Sequence, residues 1–141
     1  MSKKNIIFDL NGVLFTKSLQ DLVPLEEGIA LLQECSSHEF GHRLYVCSNM
    51  RAQYLEQLHI DFPDIMSLFM GIVTPATAHV EKPNKEIFQH LLDLYDIKAE
   101  ESFFLDDHVI NIEAVEQLGM TGIHVEDFKR VRLELIKRGI L

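Results

Sequence analysis

Asn5-Ile6-Ile7-Phe8-Asp9-Leu10-Asn11-Gly12 is a short apolar run that stops on an acid and turns at once. A strand buried on both faces reads this way, and the Asn-Gly pair supplies the backbone freedom for the turn. The same grammar recurs at Arg43–Cys47, at Gly71–Val73, at residues 102–105 before Asp106-Asp107, and at residues 122–125. Between these runs the apolar residues take a helical period. One helix places Pro24 in its first turn and carries Leu25, Ile29, Leu31 and Leu32; another spans about 51–59. A third, capped by Asn84, carries Ile87, Phe88, Leu91, Leu92 and Leu94; a fourth spans about 110–118 and stops at Gly119. The last starts near Glu126-Asp127 and carries Phe128, Val131, Leu133, Leu135 and Ile136. Alternating strands and helices predict an α/β, three-layer, Rossmann-like fold around a five-stranded, mainly parallel sheet, with residues 1–141 forming one core domain.

Composition supports that reading and removes several classes of function. The chain has 141 residues, 47% of them hydrophobic and 25% charged, the balance of a globular domain able to bury one core. Thirteen Lys+Arg against twenty-two Asp+Glu give a net charge of −9. That field repels nucleic acid and anionic lipid, and the nearest thing to a basic run, Lys129-Arg130-Val131-Arg132, is interrupted. The two cysteines, Cys35 and Cys47, are too few for a disulfide framework and read as core residues in a reducing compartment. With no signal-peptide core and no stretch of about 20 apolar residues, the expectation is a cytoplasmic protein without a membrane partner.

Ligands of an open parallel sheet bind beyond the C-terminal ends of its strands, where helix N-termini offer free N–H groups. Those ends carry Asp9 after the first strand, Ser48 after the second, and Asp106-Asp107 after the fourth; Lys82 precedes the helix that follows the third. Three carboxylates, a hydroxyl and an ammonium on one edge suit a divalent, oxygen-preferring cation and a phosphoryl group.

Four segments in this order resemble the motifs of the haloacid dehalogenase-like (HAD) hydrolase superfamily. They are Phe8-Asp9-Leu10-Asn11-Gly12-Val13-Leu14, Val46-Cys47-Ser48-Asn49, Glu81-Lys82-Pro83-Asn84-Lys85-Glu86-Ile87-Phe88 and Phe104-Leu105-Asp106-Asp107. The stretch Asn111-Ile112-Glu113-Ala114 through Leu118-Gly119-Met120 is also similar to the sequence after the fourth motif. The resemblance implies a magnesium-dependent phosphatase in which Asp9 attacks phosphorus and becomes an aspartyl-phosphate. It implies Mg2+ held by Asp9, the Asn11 carbonyl and Asp107, with Asp106 as a ligand or a holder of metal-bound water. Ser48 and the backbone amide of Asn49 would take the phosphoryl oxygens, and Lys82 would neutralise charge on the nucleophile and the transferring group.

Two departures from the pattern shape the expectation. Phosphatase branches of the superfamily usually carry an aspartate two residues after the nucleophile, as acid toward the leaving oxygen and then as base toward water. Asn11 stands there, and an amide transfers no proton at neutral pH. General acid–base help is worth ~10²–10⁴ in rate, so the implied enzyme is slow, or the chain is a phosphoryl- or protein-binding domain that has lost turnover. His108, beside the acidic pair, is a candidate compensating base. Secondly, 39 positions separate Asp9 from Ser48 and 34 separate Ser48 from Lys82, all used by the sheet and its helices, which leaves no room for a cap domain. An uncovered site implies a phosphorylated substrate large enough to cover it, a macromolecule, or a neighbour in an oligomer.

Blander readings stand beside these. Asp9 alone is a turn residue, Asp106 and Asp107 alone cap the following helix, Ser48 alone caps another, and Lys82 alone is a loop lysine. A signal-receiver domain also joins an acidic pair, an acceptor aspartate, a hydroxyl and a lysine, but its pair comes first, whereas here the lone Asp9 does. Metal-free dehalogenation would want a cap. The other histidines, His38, His42, His59, His79, His90 and His124, show no ligand spacing.

Overall fold

A computed structural model describes residues 3–141. Five strands, β1 (Asn5–Phe8), β2 (Arg43–Cys47), β3 (Gly71–Val73), β4 (Ser102–Asp106) and β5 (Thr121–His124), form one sheet in the order β3-β2-β1-β4-β5. Every pairing is parallel, so each connection must cross a face of the sheet. The crossings are made by α1 (Glu26–Ser36), α2 (Ala52–Asp61), α3 (Pro63–Met66), α4 (Pro75–Ala78), α5 (Lys85–Leu94) and α6 (Val109–Glu116), and α7 (Phe128–Lys137) follows β5. This is the Rossmann-like arrangement expected of the sequence, with no cap domain inserted.

Side chains alternate across the strands, and each face builds its own core. Ile6 and Phe8 of β1, with Leu44, Val46, Phe103 and Leu105, meet Leu31 and Leu32 of α1, Leu58 of α2, and Val131 and Leu135 of α7. Ile7, with Tyr45, Cys47, Val73 and Phe104, meets Ile87, Phe88, Leu91 and Leu92 of α5 and Ile112 and Val115 of α6. Both cysteines are buried and free, and burial pushes each thiol up to about 12. No helix among the described residues is long and apolar enough to cross a membrane.

Register positions the site. Phe8 of β1 lies level with Val46 of β2 and with Leu105 of β4, so the residues just beyond these three emerge together at one edge.

The local differences from the sequence expectation have plain causes. Pro24 does not open α1: it lies in an antiparallel bridge with Phe15, and Leu25 is extended before the helix begins at Glu26. β4 runs one residue further, to Asp106, because the Asp106 carbonyl still accepts from Val125 N–H. Asn84 caps α5 as expected, accepting from Glu86 N–H at 3.0 Å.

Candidate functional site

The chain between β1 and α1 coils tightly. The N–H groups of Val13, Leu14 and Phe15 all converge on the Leu10 carbonyl, and Leu10, Val13, Leu14 and Phe15 are fully buried. This anchors Asp9 from behind. At the turn Gly12 has φ +86°, and a Cβ there would collide with the carboxylate of Asp107. Glycine is therefore what allows the loop after β1 to lie against the acid after β4.

Lys82 is the electrostatic centre of the site. Its side chain is buried, and its ammonium lies 3.0 Å from Asp9 Oδ1, 2.8 Å from Asp106 Oδ2 and 3.1 Å from the Cys47 carbonyl. Three protons meet three acceptors, so the ammonium is saturated. Asn49 holds the lysine's backbone in both directions: its side-chain oxygen accepts from Lys82 N–H at 2.8 Å and its amide donates to the Lys82 carbonyl at 3.1 Å. The side chain of Asn49 thus places Lys82, and its backbone N–H is the group left for a ligand.

Asp9 is buried, and its Oδ1 takes both Lys82 and the Leu10 N–H at 2.8 Å. Oδ2 accepts no hydrogen bond from any described residue, on a side chain that lines the cavity. Burial pushes the Asp9 carboxyl up to about 6; Lys82 pulls it down and Asp106 adds to the rise. Burial conversely pulls the Lys82 ammonium down, but Asp9 and Asp106 outweigh it and hold the group above its ordinary value.

The acidic pair divides. Asp106 is fully buried and engaged: Oδ1 accepts from His108 N–H at 2.8 Å, and Oδ2 accepts from Lys82 and from Asn111 Nδ2 at 3.0 Å. Asp107 is the opposite case. Neither of its carboxylate oxygens accepts a hydrogen bond, although both are buried. Lys17, with a side chain 70% exposed, places Nζ 3.0 Å from Oδ2 as an ion pair without hydrogen-bond alignment. His108 Nε2 lies 3.8 Å from Oδ1. Buried carboxylate oxygens left without donors are costly unless another cation satisfies them.

One oxygen each from Asp9, Asp106 and Asp107 lies within 4.8 Å of the others. Three carboxylates against the buried Lys82 ammonium leave an excess of negative charge that the exposed Lys17 only partly offsets, a balance that favours a bound cation. The Asn11 carbonyl accepts no backbone hydrogen bond and adds a neutral oxygen, while the Asn11 amide donates to the Thr16 carbonyl at 3.1 Å. The donor set is all oxygen, which fits a hard divalent cation such as Mg2+.

On the other side, Ser48 Oγ accepts from Met50 N–H at 3.1 Å, which leaves its own proton to donate. The site opens into a cavity of about 350 Å³ lined by Asp9, Asn11, Ser48, Asn49 and Lys82, together with Lys17, Leu19, Met50, Arg51, His108 and Asn111. Of the residues expected from the sequence, Asp9, Asn11, Ser48, Asn49, Lys82 and His108 line this cavity, and Asp106 and Asp107 stand beside Asp9 without lining it. Asn111 was not among those expected. Its signal is a buried polar residue one helical turn beyond Asp107, in the otherwise apolar run Val109-Ile110-Asn111-Ile112. Lys17 and Arg51 also enter from loops whose sequence carries no periodic signal.

The sequence matches the haloacid dehalogenase-like hydrolase family over residues 15–125, a span that includes Ser48, Lys82, Asp106 and Asp107 and begins past Asp9. The sesquiterpene phosphatase astK of Aspergillus oryzae is 31% identical over 109 residues, 75% of this chain and 53% of that protein. The chain thus spans about half the length of this curated relative. A HAD-family enzyme of Bacteroides thetaiotaomicron, in complex with magnesium and inorganic phosphate, shares the fold with a TM-score of 0.77 at 18% identity, covering 92% of this chain and 99% of that one. A HAD-superfamily hydrolase of Geobacter sulfurreducens, subfamily IA, does so with a TM-score of 0.74 at 14% identity, covering 95% and 100%. With that match over most of its length, the chain belongs to the haloacid dehalogenase-like hydrolase family.

Proposed function

We propose that the chain is a magnesium-dependent phosphatase that transfers the phosphoryl group of a phosphate ester to Asp9 and then to water. The observation that carries this reading is the half-engaged Asp9 carboxylate beside the half-buried Asp107, whose enclosed oxygens accept no hydrogen bond. Leu10 N–H and Lys82 fix one Asp9 oxygen and leave the other toward the cavity. The family match and the phosphatase activity named for the Aspergillus relative support phosphate-ester hydrolysis.

Asp9, Asp107 and the Asn11 carbonyl would hold the cation, with Asp106 close by. When bound, Mg2+ supplies a positive charge that offsets repulsion between the carboxylate nucleophile and the phosphoryl oxygens. Asp9 Oδ2 forms the new O–P bond as the ester O–P bond breaks. Ser48 Oγ–H and Asn49 N–H donate to the phosphoryl oxygens, and Lys82 keeps Asp9 ionised and aimed. Water then attacks phosphorus, releasing inorganic phosphate and restoring Asp9. The missing element is a proton carrier at position 11, which slows loss of a basic leaving group and attack by water. The uncovered mouth admits substrates that extend beyond the cavity.

The engaged Asn11 amide favours a second reading, a phosphoryl- or protein-binding domain on the same scaffold. Phosphate release from a panel of phosphate esters, with magnesium and with chelator, separates the two. Release that needs magnesium and disappears in Asp9→Asn supports the phosphatase. No release from the native chain, with release from Asn11→Asp, supports the binding domain; release that persists in chelator or in Asp9→Asn overturns both.

A further inference from the structure

The mouth of the cavity is charged against the trend of the chain. The molecule carries a net −9, yet the cavity is lined by Lys17, Arg51 and Lys82 against Asp9 alone; Asp106 and Asp107 answer Lys82 and Lys17 from beside the cavity, which leaves Arg51 as the cation without a carboxylate partner. These three cations differ in availability. Lys82 directs all its protons at Asp9, Asp106 and the Cys47 carbonyl, so it has none for a further group on a substrate. Arg132 and Arg138 are paired with Glu34 and Glu134. Arg51 is exposed, and among the described residues its guanidinium makes neither a hydrogen bond nor an ion pair. It lies three residues beyond Ser48, immediately before α2, on the β2 side of the cavity. Lys17 faces it from the β4 side, where its ammonium contacts the Asp107 oxygen that a dication would claim.

We propose that Arg51, assisted by Lys17, forms a second anion subsite, and that the substrate is a small phosphate ester whose leaving group carries another negative group, a carboxylate or a phosphate, close to the ester oxygen. The proposal rests on the phosphatase reading for its first subsite. A phosphoryl group placed at Ser48 sends its ester oxygen out through the mouth, and an anion a few bonds away meets the fork of Arg51, whose planar donors suit carboxylate and phosphate alike. The size limit follows from the net charge. A polyanionic macromolecule feels the acidic surface over the Debye length of about 8 Å, whereas a small dianion inside the mouth feels mainly the local cations.

The test compares phenyl phosphate with 3-carboxyphenyl phosphate, whose leaving groups differ in charge far more than in acidity. Affinities are measured by calorimetry with magnesium present, on Asp9→Asn so that neither ester is cleaved. The expected result is about tenfold tighter binding of the carboxylated ester, shrinking as salt is raised. Arg51→Gln in the same background brings the two affinities within about twofold, and Arg51→Lys keeps an intermediate preference. Equal binding of the two esters, no measurable binding of either, or a preference that survives Arg51→Gln overturns the subsite. Parallel rate measurements on the native chain keep the two ideas apart. Cleavage of both esters without preference leaves the phosphatase standing and removes the subsite; preferential binding without any cleavage does the reverse.

Discussion

Asn11 Nδ2 donates to the Thr16 carbonyl oxygen at 3.1 Å, so the side chain two residues beyond Asp9 helps close the loop in which it sits. An ionised aspartate in that position would set an acceptor against an acceptor. Asn11→Asp should therefore hold a proton more tightly than an ordinary carboxyl, which suits a general acid. Turnover of an alkyl phosphate should rise by ~10²-fold or more. A raised folded-state pKa means that the folded state binds the proton more tightly than the unfolded state. The variant should thus be less stable than the native chain by about 1 kcal/mol at pH 8 and close to it near pH 3, below the ordinary carboxylate range. Urea unfolding at the two pH values checks this, and a pH-independent deficit would show that the new carboxylate has swung away from Thr16.

Lys82→Met removes the one ammonium between two buried carboxylates while keeping much of its volume. Breaking a buried pair by deleting one partner costs about 3–5 kcal/mol, because the remaining charge has no compensation. The double variant Lys82→Met/Asp106→Asn should recover part of that loss, since one of the two stranded charges is then gone. Denaturant unfolding at pH 7.5 measures both, and a loss below about 1 kcal/mol for the single variant would mean that the ammonium does not organise the site.

The physics that makes a sequence legible divides this molecule. β2 and β3 lie where their apolar runs end, at Arg43–Cys47 and Gly71–Val73, because a strand buried on both faces is written as a continuous apolar run. α3, α4 and the 3₁₀ turn Ala99–Glu101 pass unnoticed, being too short to show a period. Asp9, Ser48, Lys82 and Asp106-Asp107 could be found because a parallel sheet delivers every strand end to one edge. The opposite states of Asp106 and Asp107 could not, since they depend on Asn111 and Gly12, which approach through tertiary packing. His42 is a similar case. Its two ring nitrogens lie 3.0 Å from Lys4 N and 2.7 Å from the Ile140 carbonyl, a tie between distant parts of the chain that no local spacing announces.

Burial raises the Asp9 carboxyl to about 6 from an ordinary 3.8. With chelator present, the folded chain then binds a proton between those values that the unfolded chain releases. Stability contributed by Asp9 is greatest below about 3.8 and is lost as pH rises toward about 6, by on the order of 3 kcal/mol. Asp9→Asn should remove this component, so the difference in unfolding free energy between native and variant should change through that window and level off above it. Added magnesium should act in the opposite sense. Protons compete with the cation for Asp9, so the magnesium-induced rise in Tm should grow between about pH 5 and 7. A rise that is the same at both ends would detach Asp9 from the cation.

Gly12 tests whether Asp107 is held in place for a ligand. Its φ of +86° disfavours any side chain, and a Cβ would meet Asp107 Oδ2 and Cγ. Gly12→Ala should cost about 1–2 kcal/mol from the backbone conformation alone. It should also turn the Asp107 carboxylate away from Asp9, which removes an anionic oxygen from the group that faces the dication. The expected signature is a large loss of magnesium-induced stabilisation, read as the shift in Tm on adding the metal, beyond the loss of stability measured in chelator. Asp107→Asn supplies the reference, because it weakens the same ligand without touching the turn. If Gly12→Ala is destabilised yet retains the full magnesium shift while Asp107→Asn loses it, the glycine serves only the turn, and the loop after β1 does not set the position of the acid after β4.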